Sequence, residues 1–61
     1  MAALTVRELE ALEQQLDREM ILAERLKVCA AAAEDPQIRT RLEQAAACHR
    51  RHFGRLLRLL D

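Results

Sequence analysis

Along nearly its whole length this chain follows a helical repeat of mostly apolar residues every three or four positions, and the helical pattern is broken once, at Glu34-Asp35-Pro36. Two helix-patterned stretches around a single proline restrict the fold more than any other feature does. Leu9, Leu12, Leu16, Glu19, Ala23, Leu26, Ala30 and Ala33 form one seam, and Ile38, Leu42, Ala45, His49, His52, Leu56 and Leu59 form another. Steps of three and four place each set on one side of a helix. Thr5 can cap the first helix, with Glu8 completing a capping box and Leu4 and Leu9 at the positions of a hydrophobic staple. Asp35 can cap the second helix, and Pro36 suits its first turn while excluding helical geometry from the residue before it. The signals predict one domain over residues 1–61, with helix 1 over about 5–34, a hinge at 35–36 and helix 2 over about 36–60.

Helices of about 30 and 25 residues span ~45 and ~38 Å, and a short link makes them run antiparallel. With 61 residues and one aromatic side chain, Phe53, such a hairpin buries little surface alone. Met20, Leu22, Phe53 and Leu60 flank the seams and widen the apolar face. The expected fold is therefore all-α: an antiparallel two-helix hairpin that dimerises into a four-helix bundle. Charge divides along the same line. Residues 1–35 hold eight acids and four bases, net −4, and residues 36–61 hold six arginines and two acids, net +4. Two mutually attracting segments account for this. Arg50, Arg51, Arg55 and Arg58 would make a basic face for nucleic acid, but an overall basic excess and a known docking motif are both missing.

Polar residues interrupt both seams at one level. Glu19 lies 17 positions before Pro36, and His49 and His52 lie 13 and 16 after it, which puts them ~25, ~20 and ~24 Å from the turn. This level is also near the middle of each helix, so a two-fold axis there would bring a second copy's Glu19, His49 and His52 to the same layer. A buried carboxylate–imidazole pair that fixes register is one reading. A metal site with Glu19, His49 and His52 as ligands is the other; imidazole and carboxylate suit a transition metal such as Fe or Zn. Di-metal bundles place Glu-x-x-His on two of their helices. Here the position of that Glu is Ala46, and the chain has His49-x-x-His52 instead.

Cys29 and Cys48 differ by ~8 Å in distance from the hinge, beyond the reach of a disulfide. Both flank the seams and are expected to be small buried or half-buried thiols in a reducing compartment. No Gly-rich phosphate loop, nucleophile elbow, Cys-x-x-Cys or His-Glu-x-x-His occurs, so no motif points to catalysis. No apolar run approaches the roughly 20 residues of a membrane span, and "MAALTVRELE" lacks the apolar core of a signal peptide. A cytoplasmic protein is expected.

An early Leu-Glu helix with an acid at Glu19, then "EDPQIRTRLEQ", then His49-x-x-His52-Phe53 and a closing "LL" resemble the small bacterial proteins related to spore coat protein F, within the ferritin-like group. The resemblance covers roughly residues 8–60. It implies a ferritin-like bundle in a spore-forming bacterium, associated with the spore coat or of uncharacterised role, with other coat proteins as partners beside a second copy of itself. The sequence thus leads to a non-enzymatic structural or interaction module. The second reading is a metal-binding ferritin-like bundle with its Glu/His site at the dimer centre.

Overall fold

The computed structural model describes residues 3–60. Helix α1 spans Val6–Ala32 and helix α2 spans Pro36–Leu57, followed by a 3-10 turn over Arg58–Leu60. The helices pack antiparallel as a hairpin, and no strand occurs among the described residues. None of the described helices is long and apolar enough to cross a membrane.

Local chemistry sets each boundary. The Thr5 hydroxyl oxygen accepts from the Glu8 N–H at 3.1 Å, and the Thr5 N–H donates to the Glu8 carboxylate at 2.9 Å. Two amides that a helix start leaves without partners are thereby satisfied. These bonds hold the Glu8 carboxyl below its ordinary value, the Thr5 backbone bond having the larger effect and the hydroxyl adding to it. The staple residues Leu4 and Leu9 both stay exposed. At the hinge, Asp35 accepts from the N–H groups of Gln37 and Ile38 at 2.8 and 3.4 Å. Arg39 reaches back and donates through Nε and Nη2 to the Ala33 carbonyl, at 3.3 and 2.7 Å. The hinge is thus clamped from both sides: the Asp35 side chain starts α2, and Arg39 covers a carbonyl at the end of α1.

The core is narrow. Leu12, Leu16, Glu19, Ala23 and Ala30 of α1 and Ala46 of α2 are its buried residues. Alanines at 23, 30 and 46 let the backbones approach closely but leave little apolar area to bury. The seam of α2 departs from expectation. Ala46 is buried and Ala45 only half-buried, while Ile38 and Leu59 are 50% and 56% exposed. Ile38 lies in the first turn of α2, beside the hinge, and from there a 3.5-residue seam drifts about 20° per heptad toward Leu59. Leu59 lies moreover in the 3-10 turn, outside the α-helical register.

The two edges of the hairpin differ in character. Along one, Glu24 and Lys27 of α1 face Arg39, Glu43 and Arg50 of α2 across a groove floored by Ala30 and Ala46. Along the other, Gln15 and Glu19 meet His52, Arg55 and Leu56. Helical spacing places Leu22 and Leu26 on the same stripe as Gln15, and Ala45 and Cys48 on the stripe of His52. All four are half-buried. The second edge is therefore largely apolar, with a polar spot at its centre.

Candidate metal centre and polar layer

Glu19 sits in the middle of α1 on the stripe that faces α2, between the buried Leu16 and Ala23. It is 6% exposed, the only charged residue among the buried ones described. Its partners come from the antiparallel helix. Glu19 Oε2 accepts from His49 Nδ1 at 2.9 Å and lies 3.4 Å from His52 Nδ1, while Oε1 accepts from Gln15 Nε2 at 3.4 Å. The imidazoles stand edge to face, with centroids 5.8 Å apart and planes at 86°. An ionised carboxylate only accepts, so the His49 Nδ1 that hydrogen-bonds to it carries the proton. Among the described residues no buried side-chain polar atom lacks a partner.

The layer is graded in exposure. The Glu19 side chain is 8% exposed, that of His49 28% and that of His52 46%. The hydrogen bond from His49 is the main influence holding the Glu19 carboxyl below its ordinary value; burial opposes it, and the charges of His49 and His52 add to it. The charged form of Glu19 is thus favoured although the residue lies within the core.

Glu19, His49 and His52 were the three candidates in the sequence, and the fold brings them together: one ligand atom from each, all within 4.8 Å of one another. The counting of rises from the hinge is what predicts this meeting. Their spacing can be compared with metal geometry. Two N/O ligands of one tetrahedral ion at about 2.0–2.1 Å from it stand about 3.4 Å apart. The His52–Glu19 separation equals this, while the 2.9 Å between His49 and Glu19 is a charge-assisted hydrogen bond. An ion shared by all three would have to part that pair.

The thiols divide. Cys29 is exposed, contrary to the expected burial, because its stripe on α1 turns away from α2; Cys48 is half-buried, as expected. A relation that pairwise inspection of Cys48 and His49 misses is that Cys48 lies four residues before His52, one turn away on the same face. Its Sγ is 3.6 Å from His52 Nε2. The i, i+4 spacing was a usable signal for it.

Comparison of the chain with protein-family models, with curated proteins and with solved structures finds no match.

Proposed function

We propose that this chain is a non-enzymatic structural and interaction module that acts as a homodimer, two hairpins pairing into an antiparallel four-helix bundle of the coat F-like, ferritin-like kind. Exposed area is the observation that carries the reading. The hairpin exposes 5083 Å², whereas a compact monomer of 7.0 kDa exposes about 4,000 Å². The excess, about 1,000 Å², is close to the roughly 800 Å² that each partner buries in a stable interface. Shape agrees: the radius of gyration is 14.5 Å and the extents are 46 × 16 × 10 Å, against a radius of about 10 Å for a compact chain of this length.

The edge bearing Leu22, Leu26, Ala45 and Leu56 is the surface a second copy would cover. The acidic first half of one copy can lie against the basic second half of the other. At the centre of such an interface the Glu19–His49–His52 layer sets register, since a slipped pairing would put a charged group against leucine. Sedimentation equilibrium at micromolar concentration should give twice the chain mass. Leu22→Lys should yield monomers, while Ile21→Lys, on the outer face of α1 and already 50% exposed, should leave the mass doubled. A wild-type chain that sediments as a monomer and still melts cooperatively rejects the bundle.

A second reading, metal binding by Glu19, His49 and His52 at the dimer centre, draws on the convergence of their three donor atoms within 4.8 Å. Metal analysis of protein purified without chelator decides it: stoichiometric Fe or Zn that disappears in His49→Gln supports the site, and metal-free protein of full stability favours the hydrogen-bonded layer.

A further inference from the structure

Cys48 and His52 use atoms that the polar layer leaves over. His52 turns Nδ1 toward the Glu19 carboxylate at 3.4 Å and Nε2 toward Cys48 Sγ at 3.6 Å. In the neutral tautomer that carries its proton on Nδ1, toward an oxygen that only accepts, the lone pair of His52 lies on Nε2, the nitrogen 3.6 Å from the sulfur. The carboxylate favours that tautomer, which leaves the other nitrogen of the imidazole free to coordinate. This is the arrangement in which a metal-bound histidine is oriented by an acid behind it.

The separation fits a metal as well. A Zn²⁺ ion holds thiolate sulfur at about 2.3 Å and imidazole nitrogen at about 2.0–2.1 Å, so at a tetrahedral angle the two donors stand about 3.5–3.6 Å apart. Cys48 Sγ and His52 Nε2 already stand at that distance, with no rearrangement of α2 needed. In the single hairpin both side chains are reachable, His52 exposed and Cys48 half-buried; in the proposed dimer they lie along the covered edge.

We infer that Cys48 and His52 form a bidentate site for a thiophilic divalent cation such as Zn²⁺, with Glu19 as the residue that positions His52. On binding, the Cys48 thiol gives its proton to solvent and forms a metal–sulfur bond, His52 Nε2 forms a metal–nitrogen bond, and water fills the remaining positions. No electron is transferred. The site differs from the Glu19/His49/His52 cluster in its donor atoms: it takes sulfur, uses Nε2 in place of Nδ1, and leaves His49 out. Both donors belong to one chain, so it does not rest on the dimer.

Co²⁺ is the probe, because a cobalt–thiolate bond produces a near-ultraviolet charge-transfer band that oxygen and nitrogen ligands alone do not. Titration of the reduced full chain with CoCl₂ should develop the band, and Zn²⁺ should displace it. Cys29→Ser and His49→Gln should keep it, and Cys48→Ser should abolish it. His52→Gln should weaken binding by at least tenfold, and Glu19→Gln, which loses the charge behind the imidazole, by about 10- to 100-fold. Circular dichroism on each variant shows whether the helices persist, and Cys48→Ala provides a second sulfur-free chain if the serine unfolds. In the Leu22→Lys chain that edge is uncovered, so Co²⁺ binding should be retained or strengthened, and failure of the dimer and failure of this site are read separately. No band in wild type, or a band that survives Cys48→Ser or disappears in Cys29→Ser, overturns the inference.

Discussion

Glu19 and His49 lie 30 positions apart in the chain and 2.9 Å apart in space. The pair ties the middle of α1 to the middle of α2, where the other buried cross-helix residues are mostly small. Polar atoms here replace the large aliphatic side chains that most hairpins would use. They hold the two helices at one axial offset.

Acid should therefore loosen the hairpin through Glu19. Its carboxyl is held below the ordinary value of 4.5, chiefly by the His49 hydrogen bond. A carboxyl with a depressed folded pKa contributes stability that is fully present above the unfolded pKa and is lost as pH falls through the folded one. Wild-type melting temperature should fall as pH drops below about 4.5. Glu19→Gln should start lower at neutral pH and change less across that acid range. Equal acid slopes for the two proteins would show that the pair does not couple protonation to folding.

Gly54 offers a stabilising substitution. It is helical, within α2, and a Cβ built there meets nothing within 4 Å; no described residue has a positive φ. Glycine inside a helix costs roughly 0.5–1 kcal/mol relative to alanine. Gly54→Ala should add about that much to the unfolding free energy, measured by urea denaturation. By helical spacing position 54 lies toward the charged edge of α2, so the sedimenting mass should not change. A destabilised Ala variant would reveal a close neighbour at this position.

Caps at opposite ends of the hairpin should act independently. Thr5→Ala removes the hydroxyl that accepts from the Glu8 N–H and leaves the backbone half of the box, and Asp35→Ala frees the amides of Gln37 and Ile38. Each should cost about 1 kcal/mol. The sites are far apart and share no partner, so the double variant should lose the sum to within about 0.5 kcal/mol. A larger deficit would mean that the first turn of α1 and the hinge fold as one unit.

The features readable in the sequence are those that depend on near neighbours or on simple counting. Thr5 with Glu8, and Asp35 with Pro36, mark helix starts within four residues. Glu19, His49 and His52 can be placed at one level because the hinge is unique and the rise per residue is constant. The seam of α2 was less legible. Ala45 and Ala46 are adjacent alanines, and the choice between them depends on a rotation that apolar patterning does not resolve. Ile38 and Leu59 match the repeat yet stay exposed, one in the first turn beside the hinge and the other in the 3-10 turn after α2. Cys29 was misjudged for the same rotational reason. The Cys48–His52 contact is local, one turn apart, and was within reach of the sequence. The adjacent His49 competes with it as a partner for Cys48 in the sequence, but its ring turns to Glu19.

Only Ala33, Glu34 and Asp35 separate the two helices, and that short hinge governs time as well as shape. Closing so small a loop costs little entropy, and helices of this length form in about a microsecond. Within one chain almost no conformational search remains. In a two-copy bundle the slow event is the encounter of two preformed hairpins. Refolding followed by stopped-flow should then proceed in two phases, a fast one indifferent to protein concentration and a slower one whose rate rises in proportion to it. The abundance of the chain, more than its internal order, would decide how quickly it becomes functional.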